Sequence, residues 1–86
     1  DDIDIENDFK VYPNPTHGKI FLWLSKSLNE NDEIRITNIV GHVVCQISGM
    51  PINNEIDVSH LFSGIYFIEL RNSNSHKMIK KCFNIL

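Results

Sequence analysis

Eighty-six residues make one domain. A chain this short buries only about 60 to 65% of the surface its unfolded form exposes, so its core is modest and a deep multi-residue catalytic pocket is not expected. Hydrophobic residues make up 42% and charged residues 22% of the chain, a balance that speaks against disorder, and no apolar run approaches the roughly 18 residues of a membrane-spanning helix. The net charge of −3 is unevenly placed, because Asp1, Asp2, Asp4, Glu6 and Asp8 hold five of the eleven acids. Phe9 to Leu86 therefore carries eight basic residues against six acidic ones, too small an excess for a nucleic-acid surface.

In chain order, residues 1–8 read as an acidic linker to an upstream domain and residues 9–86 as the folded unit. The chain starts with Asp and shows no basic, apolar leader, which reads as a piece of a longer polypeptide. Short runs of alternating apolar and polar residues, broken by turn formers every 8 to 12 residues or so, predict strands. They fall near Phe9–Tyr12, Lys19–Leu24, Glu33–Thr37, His42–Ser48, Glu55–Val58, Gly64–Arg71 and Lys77–Ile85. Pro13-Asn14-Pro15 cannot donate ladder bonds at either proline and must leave the sheet, and Thr16-His17-Gly18 turns the chain back. Ser25–Asn31, Ser48–Asn54 and Asn72–His76 are the other polar breaks. With no connection long enough for a crossover, pairing is antiparallel. The expected fold is all-β, a seven-stranded antiparallel immunoglobulin-like β-sandwich.

Period two assigns inward faces to Ile20, Leu22 and Leu24, to Ile34 and Ile36, to Val43, Cys45 and Ile47, and to Tyr66, Ile68 and Leu70. Phe21 and Trp23 then point the other way, covered by Phe9, by a loop or by the parent protein, or else exposed for a partner. Leu61-Phe62-Ser63-Gly64-Ile65-Tyr66 spaces Leu, Gly and Tyr as in a tyrosine corner, where the phenol reaches a backbone group a few residues upstream. Asp57 or Ser59 is placed to satisfy turn amides there.

Catalytic chemistry finds little support. Ser59 and His60 are adjacent, and neighbouring side chains of an extended chain diverge. His17, His42, His60 and His76 lack zinc-ligand spacing, the acidic start lacks the Gly and closing Glu of a calcium loop, and Asp32 with Glu33 reads as a solvated corner. No catalytic residue, metal or cofactor is expected. Cys45 and Cys82 stand in the fourth and last strands, where either a disulfide or two small thiols is compatible with the pattern.

Three signatures in order carry a resemblance: Val11-Tyr12-Pro13-Asn14-Pro15-Thr16-His17-Gly18, then Gly41-His42-Val43-Val44, then Asp57 to Phe67 followed by Lys77-Met78-Ile79-Lys80. Together they make the chain resemble, over about Phe9 to Lys81, the C-terminal sorting domain of the type IX secretion system, also called the Por secretion system, in its commoner subtype, type A. The resemblance implies sorting-motif residues at Tyr12, Pro13, Asn14, Pro15, Gly18, Gly41, Val44, Leu61, Gly64, Tyr66, Lys77, Lys80 and Lys81. Two departures are visible: Asn72–His76 lacks a Gly before the lysine segment, and Cys82-Phe83-Asn84-Ile85-Leu86 runs past the usual lysine finish.

What the resemblance implies is a non-enzymatic export address from a Bacteroidetes-type bacterium. Its partners would be the type IX machinery, a surface sortase that cuts in or before the acidic stretch, and an upstream cargo such as a protease, glycosidase or adhesin. It would pass through the periplasm and then reside at the cell surface or be secreted, as a monomer or weak dimer with no nucleic acid and no membrane insertion. The competing expectation is a fibronectin-like or carbohydrate-binding accessory module that uses Phe21 and Trp23 to stack on sugars.

Overall fold

The computed structural model describes residues 9–86; the acidic linker expected at 1–8, and the cut within it, lie outside them. The strands are β1 (Phe9–Tyr12), β2 (Lys19–Leu24), β3 (Glu33–Asn38), β4 (Val43–Ser48), β5 (Glu55–Asp57), β6 (Gly64–Arg71) and β7 (Met78–Ile85). They form a three-stranded sheet in the order β1-β2-β5 and a four-stranded sheet in the order β4-β3-β6-β7, with antiparallel pairing throughout. The sequence-predicted strands match these within a residue or two, and one short 3₁₀ turn at Ile52–Asn54 leads into β5.

The core lies between the sheets. Phe9, Ile20, Leu22 and Ile56 of the small sheet face Ile34, Ile36, Tyr66, Ile68, Leu70, Phe83 and Ile85 of the large one, and Val58 seals the gap from the loop after β5. Leu24 packs against this core only in part. Fully burying each of these aliphatic or aromatic side chains contributes about 1.5–3 kcal/mol, so the alternation along each strand sets the register. The residues beyond the usual lysine finish belong to this core, since Phe83 and Ile85 are both buried.

The fourth strand departs from the simple alternation. Ile36 faces Cys45 but Thr37 faces Val43, so Val44 is an extra residue, a bulge. The bulge turns Val43 outward, where it is exposed, and leaves Val44, Cys45 and Ile47 half-buried against the core. The expected inward trio of Val43, Cys45 and Ile47 is thus corrected at Val43. Both cysteines are free. They sit on the two outermost strands of the large sheet, three inter-strand steps or about 14 Å apart, far beyond disulfide reach.

Asp32 is the second correction, being buried where a solvated corner was expected. Its carboxylate accepts bonds from the Asn29 N–H (2.9 Å) and the Ser73 N–H (2.8 Å), and its carbonyl accepts the Gly49 N–H (2.8 Å). One residue so ties together the three loops at one end of the sandwich. At the same end the turn before β7 manages without glycine because His76 itself takes the left-handed conformation, φ 60, closed by bonds from the His76 N–H to the Asn72 carbonyl and from the Asn72 N–H to the Lys77 carbonyl.

Burial opposes ionisation of Asp32, but the N–H groups of Ser73 and Asn29, with the Ser73 hydroxyl, outweigh it and hold the carboxyl below its ordinary value of 3.8. A lowered carboxyl pKa stabilises the fold at pH values above the unfolded value, and that contribution disappears as pH falls through the folded one. Asp32→Asn should therefore lower stability by about 1–3 kcal/mol at pH 7. Thermal melts from pH 7 down to pH 2 should show the difference between variant and parent closing below the carboxylate range.

Candidate functional site: the signature end and the lysine strand

The connections after β1, β3 and β5 all emerge at the end of the sandwich opposite Asp32, because each paired strand reverses direction. The first two signatures and the Asp57–Phe67 part of the third are built around those connections, whereas the Lys77–Lys80 part starts from the Asp32 end, and the last residue of β7 arrives among the former. Residues far apart in sequence are thereby gathered at one place.

The first signature is stitched to the last strand. The Asn84 N–H donates to the Asn14 side-chain carbonyl (2.9 Å), the Thr16 N–H to the Asn84 carbonyl (2.9 Å), and the Leu86 N–H to the Thr16 carbonyl (2.9 Å). Thr16 is buried and spends its hydroxyl locally, donating to the Lys19 carbonyl and accepting the Gly18 N–H at 3.2 Å. Pro13 and Pro15, both preceded by cis peptide bonds, are exposed around it. The Gly18 carbonyl accepts the Val58 N–H (2.8 Å), which joins the first signature to the third. Tyr12 lies on the outer side of β1 and stacks on Phe21 with ring centroids 5.8 Å apart.

The second signature is a hairpin turn. Asn38 caps it, its side-chain carbonyl accepting the N–H groups of Val40 and His42, and Gly41 supplies φ +91 at the tip. In the third, the Tyr66 hydroxyl donates to the Phe62 carbonyl at 2.7 Å, four residues upstream, and Leu61 packs against the core, which makes this a tyrosine corner. Gly64 opens β6 at φ +146, a backbone state that side chains rarely adopt. Asp57 accepts both the N–H and the hydroxyl of Ser59, so the serine is occupied as a turn residue. Side-chain and backbone bonds to Ser59 hold the Asp57 carboxyl below its ordinary range.

Around this frame the tips are apolar and open: Ile39, Val40 and Phe62 are among the most exposed large hydrophobic residues, joined by Ile65 and Val43. Among the described residues no three His, Cys, Asp or Glu side chains gather to hold a metal.

The lysines do not form one row. Lys77 lies in the turn before β7. Lys80 is on the outer face of the large sheet, 3.6 Å from the nearly buried Glu69 carboxylate and 5.5 Å from the Phe67 ring centre. Lys81 is on the inner side, its ammonium reaching around the edge to 5.7 Å from the Phe9 ring. An edge strand with lysines on both faces resists pairing with its own copies. Phe9, one of the three covers expected for Phe21 and Trp23, is instead inside the core. Trp23 stays half-exposed with the Lys10 ammonium 5.6 Å from its ring.

Sequence reasoning missed Asn84 and Asp32, since a single Asn or Asp in a polar stretch carries no mark of the distant backbone groups it will meet.

A family model described as the secretion system C-terminal sorting domain matches residues 10–84. No curated protein matches the chain in sequence. Among solved structures the chain is similar to PorZ of Porphyromonas gingivalis, described as an essential bacterial surface component of the type-IX secretion system. The likeness has a TM-score of 0.67 at 19% identity and covers 94% of this chain, which spans 12% of the length of that one. At that identity it establishes the shared fold.

Two substitutions probe the frame. Tyr66→Phe should cost about 1–2 kcal/mol through the lost bond to the Phe62 carbonyl, and Gly64→Ala about 1–3 kcal/mol through backbone strain, both read as a lower denaturant midpoint with an unchanged far-ultraviolet spectrum.

Proposed function

This chain belongs to the family of secretion system C-terminal sorting domains, and from that premise we propose that its export signal is the folded β6–β7 hairpin, presented with its lysines by the signature end. Domains of this family are C-terminal secretion signals for type IX cargo, which they send to the cell surface or release, and the family is not itself catalytic. The observation that supports a folded signal is the stitch from Asn14 and Thr16 to Asn84 and Leu86. Although Tyr12, Pro13, Asn14, Pro15 and His17 are exposed, the bonding groups of Asn14 and Thr16 in the first signature are turned onto the strand that carries Lys80 and Lys81.

In this reading Tyr12, Pro13, Asn14, Pro15, Gly18, Gly41, Val44, Leu61, Gly64 and Tyr66 build the frame, and Lys77, Lys80 and Lys81 are read by the type IX machinery. The cargo lies upstream, transits the periplasm, and is separated from the domain by a surface sortase that cuts before Tyr12. The domain acts as a monomer, because lysines on both faces of β7 disfavour sheet extension by a second copy.

A secreted reporter fused to this chain should reach the cell surface. Deleting Lys77–Leu86 should stop it, but that deletion also strips Phe83 and Ile85 from the core. The deciding variant is therefore the triple substitution Lys77→Gln, Lys80→Gln and Lys81→Gln, which keeps the core. It should fold with a nearly unchanged midpoint and fail to export; normal export would remove the lysines from the signal. Mass spectrometry of the mature surface cargo should find no peptide from beyond Asp8 if the sortase removes the domain.

A further inference from the structure

We propose that the open side of β7 is a strand-addition site for an extended, acid-bearing peptide segment of the export apparatus. The proposal rests on the reading of the lysine hairpin just given and specifies how that hairpin is bound.

The orientation of the β7 backbone follows from the bonds at its two ends. The Lys77 carbonyl accepts from Asn72 across the β6–β7 turn, whereas Asn84 and Leu86 bond to Asn14 and Thr16 on the far side. Odd-numbered residues therefore turn their N–H and C=O groups toward β6, and even-numbered residues turn theirs outward. Met78, Lys80 and Cys82 consequently present three N–H and three C=O groups along the open side, and no described residue bonds to them. The Asn14–Thr16 segment already occupies the next places in that row, with Thr16 forming an isolated parallel bridge to Ile85. One end of the edge is paired as a strand would pair it, and the rest is vacant among the described residues.

Four strands end a sheet, and they are not equivalent. β5 has three residues and β1 four, and β4 has six with no charge among them. β7 has eight, with Lys80 on one face and Lys81 on the other, and Lys77 just before it. A strand laid beside β7 sends alternate side chains to the two faces, so acidic residues on either face meet an ammonium group. Lys80 is held in place by Glu69 and Phe67 but keeps 47% of its side-chain surface open. A second copy of β7 would bring lysine against lysine, which is unfavourable directly across a sheet. The same residues that reject self-association thus select a partner of opposite charge, and main-chain bonds supply affinity as in other strand-addition complexes.

The test uses the isotope-labelled 86-residue chain with two synthetic octapeptides, one alternating Glu with Val, the other alternating Lys with Val. The Glu peptide should slow amide exchange at Met78, Lys80 and Cys82 about tenfold or more, with no change along β4, and the Lys peptide should do nothing. Protection along β4 instead, equal protection by both peptides, or no protection at saturating peptide would each overturn the proposal. In the reporter, Cys82→Pro removes one outward N–H while leaving the lysines and the β6 pairing, a position where an edge strand tolerates proline. It should melt with Cys82→Ser yet fail to export. Met78→Pro, at the first residue of the strand, serves the same purpose if Cys82→Pro melts early. Normal export of the proline variants alongside failure of the triple lysine variant would sink strand addition and leave the hairpin reading standing. Normal export of the triple lysine variant would sink both.

Discussion

The bonds that Asn14 and Thr16 make to Asn84 and Leu86 hold the two sheets of this molecule in one arrangement. Two small sheets packed on twelve buried side chains have modest apolar area to set against chain entropy. Hydrophobic contact is also non-directional, so it does not choose between nearby packings. Three hydrogen bonds, aligned between the loop after β1 and the end of β7, are directional and do choose. They also close part of the gap between the edge of the large sheet and the small sheet, where Thr16 would otherwise bury an unpaired backbone N–H.

The opposite end is fixed in a similar way by a single acid. Asp32 joins the loops before β3, after β4 and between β6 and β7, using a carboxylate and a main-chain carbonyl. The ends differ in what they leave in view. Around Asp32 the exposed residues are mostly polar, with Ile52 in the loop after β4 the open apolar exception, whereas the signature end clusters Ile39, Val40 and Phe62 on turns whose own backbone bonds are satisfied within the loops.

Much of this was legible before any coordinates. Strand positions followed from alternation because burying one face of each strand dominates the energetics, and the tyrosine corner followed from the spacing of Leu61, Gly64 and Tyr66 because that geometry is local. Local rules failed where a distant group intervened. Val43 faces outward because a bulge at Val44 shifts the pairing with β3, and nothing in Val43-Val44-Cys45 marks which residue is extra. Asp32 is buried because Ser73, forty-one residues later, points an N–H at it. The separation of Cys45 and Cys82 depends on strand order, which alternation cannot supply. The lysines of the last segment were visible as a group, but their division between two faces of β7 required the register with β6.

That division bears on why an export address should be a folded domain at all. A run of three lysines in an unfolded tail offers charge and nothing else, and charge of that kind is screened within about 8–10 Å in physiological salt. On β7 the ammonium groups of Lys80 and Lys81 stand on either side of a row of outward N–H and C=O groups, held by Glu69 and Phe67 on one face and by Phe9 on the other. Under the strand-addition proposal, recognition requires charge and backbone geometry together, and in this structure that geometry comes with Phe83 and Ile85 seated in the core and Asn84 bonded to the first signature. A receptor using both would read folding and identity in one contact, so a tail that had not folded would lack the row of donors even while carrying every lysine.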